Sequence, residues 1–179
     1  VAAYRAGLTR VLGDKADAVF ALYPANSDAE VLPMATALAS DDFLALPTWK
    51  WFDLQRQTGA PTYYYHYAHV RPRFLADPGS QLGWGAVHSA EIEYALGNLD
   101  TNPIYGWTDA DRKVSAVMSA YWANFVRTGN PNGSGLPAWP KASRDAGKIQ
   151  RQLIDIDTHS APFPEQRRYV AAEPLVYMH

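Results

Sequence analysis

The 179-residue chain contains no cysteine, which removes disulfides, thiolate zinc sites and a cysteine nucleophile from consideration together. Compartment stays open, because secreted proteins without disulfides are common. Charge is also scarce: 19% of residues are charged, the formal net charge is -2, and the densest basic cluster is Arg167-Arg168. The stripe of lysine and arginine that a phosphate backbone requires is missing, so no nucleic-acid partner is expected. No apolar run approaches the roughly 18 residues that span a bilayer, so no membrane span is expected, and Val1 to Asp14 lacks the basic, apolar and small-residue order of a signal peptide. The chain reads as soluble, with no internal repeat and no low-complexity segment.

Apolar and aromatic residues are abundant. A hydrophobic share of 47% describes a folded globular protein, long enough for one domain or a large piece of one. Six Trp, eleven Tyr and six Phe suit either a large core or a ligand-lined gorge, since each buries a wide surface and several carry a polar tip.

Periodicity predicts mostly helices with few strands. "YRAGLTRVLG" and "DKADAVFALYP" have helical spacing, punctuated by Gly13-Asp14 and ended by Pro24. Ser27 stands as N-cap of "DAEVLPMATALAS", with Glu30 completing a capping box. "DDFLALPTWKWFDLQRQTG" has acidic residues at its start and Gly59 as a stop, and Pro47 should kink it. The aromatic run Pro61 to Val70, "PTYYYHYAHV", then predicts a strand buried on both faces. His66 and His69 lie in it, but residues three apart on a strand point to opposite faces, so their rings diverge and no metal site is expected.

A Pro- and Gly-rich loop follows, and His88 closes it just before a short helical run, Ala90 to Leu96. An imidazole there can be a proton shuttle, a metal ligand or a helix cap. The most regular helix runs from Thr108 to Gly129, with Val114, Val117, Met118, Tyr121, Trp122, Phe125 and Val126 on one apolar face, Thr108 or Asp109 capping its start and Gly129 its end. Beyond it lie a loop, a short strand at Arg151 to Asp157, and a tail with one more short helix. His159 and His179 are read as solvated. Asn132-Gly133-Ser134 has the glycosylation pattern, which matters only on a eukaryotic secretory route.

Several of these segments carry a family resemblance. "GWGAVHSAEIEYALGNL" resembles the histidine block of type B carboxylesterases and cholinesterases, and "YWANFVRTGNPNGSGLPAWP" resembles that family's next block, a helix followed by a Trp-Pro turn. "LYP", "DDFLALP" and "PTYYYHYAH" fall in the family's order. The resemblance implies an α/β-hydrolase fold, of which this chain would be the mostly helical C-terminal part with a few strands, and a Ser, acid, His order along the chain. It implies no cofactor and no metal. No serine here has Gly at both i-2 and i+2, so the G-x-S-x-G nucleophile elbow is missing, and no carboxylate upstream of His88 stands in an acid-loop context. Residues 1–179 are therefore expected to form a single C-terminal region of such an enzyme, lacking the N-terminal part with the elbow and the acid.

On this resemblance His88 is the general acid–base of the triad, since a serine hydroxyl needs a base within hydrogen-bond reach and an imidazole titrates near neutrality. Gly83 and Gly85 would let the loop bend. Glu91 has two readings, a carboxylate favoured near a helix N-terminus or a side chain that supports the catalytic loop. Trp84, beside that loop, is the candidate substrate-pocket wall. The expected partners are a small-molecule ester and the remaining N-terminal part of the enzyme. Bare apolar faces and strand edges further predict self-association. The alternative is a cholinesterase-like binding or adhesion module that has lost its triad, and the retained His88 favours the hydrolase.

Overall fold

A computed structural model describes residues 1–77, 79 and 85–176, which fall into two compact units. In chain order the described elements are α1 (Ala2–Leu12), α2 (Ala16–Leu22), α3 (Asp28–Ser40), α4 (Leu46–Gln57), β1 (Tyr65–Tyr67), α5 (Ile92–Leu96), α6 (Asp109–Thr128), β2 (Gln150–Ile154), β3 (His159–Pro162) and α7 (Gln166–Val176).

The first unit comprises Val1–Thr58 and the segment from Phe163 onward. Its core is Leu8, Ala16, Val19, Tyr23, Leu46, Ala172 and Val176, contributed by α1, α2, α4, α7 and the residue after α2. Each fully buried aliphatic side chain contributes about 1.5–3 kcal/mol of transfer free energy. Between α3 and α4 the helix widens into a π turn over Asp41–Ala45, where the Leu46 amide donates to the Asp41 carbonyl five residues back. Pro47 then stands in the first turn of α4, directly after this π turn. The expected kink is thus a change of helical pitch. Asp41 is buried and accepts hydrogen bonds from the Tyr23 hydroxyl at 3.0 Å and Arg168 Nε at 2.9 Å, which fastens α7 to the π turn. The Ser27–Glu30 capping box is not formed. Ser27 does hold the N-cap position, but the Glu30 carboxylate accepts from the Asn26 amide at 2.9 Å instead.

The second unit spans Gly59–Pro162. Its sheet has the order β1-β2-β3, with β1 parallel to β2 (Tyr65 opposite Gln152, Tyr67 opposite Ile154) and β3 antiparallel to β2 (Gln152 opposite Ser160). The strand expected over Pro61 to Val70 is only three residues long, and its faces are half-buried and exposed. Strand extent follows the available partner, and β1 meets only β2 among the described residues. β3 had no sequence signal, because "HSAP" lacks alternation and ends in proline.

α6 has the predicted bounds. Thr108 caps it in a capping box whose reciprocal member is Asp111, and Gly129 closes it in the left-handed conformation at φ 73°. Its buried face is Asp111, Val114, Ser115, Met118 and Tyr121, whereas Phe125 and Val126, expected on that face, are 47% and 82% exposed. Val114 and Met118 pack with Tyr94, Leu99 and Ile154 into this unit's core. α5 begins at Ile92, two residues later than expected; Ala90 and Glu91 belong to the turn that precedes it.

Candidate active site

His88 is exposed, at the head of a turn that runs from His88 to Glu91 and delivers the chain into α5. The turn is closed by the Ala90 amide donating to the Val87 carbonyl at 3.0 Å. Gly85, three residues before it, has φ 129°, a conformation open to glycine and costly for other residues. Behind the turn α5 is anchored in the core. Tyr94 is fully buried, donates its hydroxyl to Asp111 at 2.6 Å, and accepts at its carbonyl from Ser115 Oγ at 3.1 Å. An exposed imidazole on a fixed base is what proton transfer to a second group requires.

Glu91 holds the N-cap position of α5, half-buried, and its carbonyl accepts from the Ala95 amide at 2.8 Å. The Tyr65 hydroxyl is held above its ordinary pKa, first by burial and then by the negative charge of Glu91. Trp84 lies outside the described residues, as does His179.

His66 is exposed on β1, whereas His69 lies beyond the end of that strand and is buried, so the expected placement of both on one strand does not hold. His69 instead sits in a network that sequence reasoning missed. Its Nδ1 is 2.9 Å from Asp155 Oδ1 and its Nε2 2.8 Å from Asp111 Oδ1, and the same Asp111 accepts from Tyr94 and from the Thr108 amide. Burial pushes the Asp111 carboxyl up, but hydrogen bonds from Thr108, Tyr94 and His69 outweigh it and hold the group below the usual aspartate value. The readable signal was the Thr108-x-x-Asp111 spacing of a capping box. Among the described residues no cluster of three or more His, Asp or Glu could hold a metal ion. A shallow depression lined by Tyr63, Asn130, Trp139 and Lys141 at the far end of α6 includes neither His88 nor Glu91.

The carboxylesterase family model matches residues 9–172, nearly the whole chain. The chain belongs to the carboxylesterase family. Carboxylesterase 5A of Canis lupus familiaris is 35% identical over 142 residues, covering 73% of this chain and 23% of that protein. Liver carboxylesterase 1 of Oryctolagus cuniculus is 42% identical over 97 residues, 53% of this chain and 16% of that one. This carboxylesterase-family chain thus spans about a quarter or less of the length of these relatives. Among solved structures, a PNB esterase superposes with TM-score 0.67 at 21% identity over 94% of this chain and 32% of its own. An esterase from Clostridium hathewayi, described as able to hydrolyse aliphatic aromatic polyesters, gives 0.61 over 95% and 32%. The fold is accordingly part of an α/β hydrolase, mostly helical with a small sheet. No described helix is long and apolar enough to cross a membrane.

Proposed function

We propose that this chain supplies the general acid–base histidine, His88, of a serine hydrolase acting on carboxylic esters, with the serine and the triad acid on polypeptide outside residues 1–179. The observation that carries this reading is an exposed imidazole, on a turn leading into a short helix held by the buried Tyr94, inside the region that matches the carboxylesterase family. In the first half-reaction His88 accepts the serine proton as the hydroxyl oxygen attacks the ester carbonyl. It then returns that proton to the departing alcohol. In the second half, His88 takes a proton from water, the hydroxide so formed attacks the acyl carbon, and the carboxylic acid leaves as the serine is reprotonated. Glu91 supports the turn from the N-cap of α5, and Trp84 forms part of the substrate pocket. The small-molecule ester is the partner of the whole protein.

Labelling with a serine-directed organophosphonate tests this, on the natural polypeptide that carries these residues. Mass spectrometry should find the adduct on a serine outside residues 1–179, formed far more slowly when His88 is replaced by Gln. An adduct on one of the serines of this chain, or labelling indifferent to His88, would contradict it.

A further inference from the structure

We propose that Arg71 is a positioning residue for the reaction, holding the turn that carries His88 through the Ser89 carbonyl and the Glu93 carboxylate. This rests on the reading of His88 as the proton carrier. Arg71 Nη2 donates to the Ser89 carbonyl at 3.1 Å and pairs with Glu93, while Nη1 donates to the Tyr105 hydroxyl at 3.3 Å. One planar fork therefore grips the residue after His88, a residue of α5 and a third segment at once. Ser89 is the one non-glycine with positive φ among the described residues, and a carbonyl turned by that conformation is the one Arg71 occupies.

The far side of the clamp is itself fixed. The guanidinium lies 5.1 Å over the Tyr105 ring, Tyr105 stacks on Phe74 at 5.1 Å, and two backbone hydrogen bonds, Leu75 to Ile104 at 2.8 Å and Gly106 to Arg73 at 2.9 Å, tie those strands of chain together. Glu93 has a second donor in Asn102 Nδ2 at 2.7 Å. Burial pushes the Glu93 carboxyl up, but Asn102, its own backbone and Arg71 outweigh it, so the pair is ionic. A small displacement of a proton carrier costs rate steeply, and no contact with substrate is needed for Arg71 to matter.

The test uses the natural polypeptide carrying these residues, with selectively 13C-labelled histidine and steady-state ester hydrolysis. In R71Q the His88 ring should loosen, its order parameter dropping below about 0.6, and kcat should fall by about ten- to a hundredfold with KM little changed. R71K, which keeps the charge but not the fork, should recover part of both. Loss of turnover in H88Q, combined with an unchanged His88 ring and unchanged kcat in folded R71Q, would overturn the proposal alone. Retained turnover in H88Q would overturn the reading of His88 and the proposal with it. Should R71Q not fold, E93Q is the second variant, where the same loosening and a smaller loss of kcat are expected and their absence overturns the clamp.

Discussion

His69 and His88 are the same side chain in opposite circumstances. His69 has each ring nitrogen opposite a carboxylate and is buried, so it serves structure, whereas His88 is exposed on a surface turn. The motif around His88 was legible because Gly, His and Glu at fixed spacing carry a family pattern. Of the role of Asp111 only the capping-box spacing to Thr108 was readable, because nothing in "DADR" reveals that the same carboxylate also joins Tyr94 and His69. Removing that carboxylate breaks a buried, hydrogen-bonded group, and Asp111→Ala should cost about 3–5 kcal/mol. Its pH dependence follows from the direction of its shift. A carboxyl held below its ordinary value adds stability above the unfolded-state pKa, about 3.9, and that stability is lost as pH falls through the lower folded value. Equilibrium unfolding at stepped pH should show the native chain losing stability below about pH 4. Asp111→Asn should start lower at neutral pH and lose less across that range; an equal slope in the two proteins would contradict this.

At the scale of elements, α6 and β1 show which signals survive folding. The helix was readable to its ends because a 3.6-residue period, a capping threonine and a terminal glycine are local and agree. β1 was overestimated because a strand is defined by its neighbour, and β-rich composition over Pro61 to Val70 says nothing about how far a partner extends. The π turn was legible only as a disturbance at Pro47, since nothing in "DDFLALP" distinguishes a kink from a widened turn. Thr108 accepts the Asp111 amide and closes the capping box, so Thr108→Ala should destabilise the second unit by about 1 kcal/mol. Chemical denaturation should show a lower midpoint with an unchanged slope. An unshifted midpoint would mean that Asp111 alone satisfies the first turn.

For the molecule as a whole, five short blocks in family order made the family legible, and the match over residues 9–172 agrees with them. The division into two units was not legible, because the segment from Phe163 onward joins the first unit across the whole second unit and no linker composition marks the crossing. The first unit leaves Phe43 67%, Leu54 55% and Trp51 79% exposed on and beside α4, apolar side chains that a second surface could bury. Self-association of the 179-residue chain is therefore expected, and sedimentation velocity should find a dimer or larger species at micromolar concentration. A clean monomer would contradict it.

The most direct test of the central claim compares His88→Gln with His69→Gln in the natural polypeptide that carries these residues, measuring both ester turnover and unfolding. His88→Gln should unfold like the unaltered protein, within about 0.5 kcal/mol as an exposed position, yet lose kcat by about four to six orders of magnitude. His69→Gln should be clearly less stable while the folded molecules keep their turnover. A His88→Gln protein that hydrolyses esters at the original rate would show that the exposed imidazole is not the proton carrier.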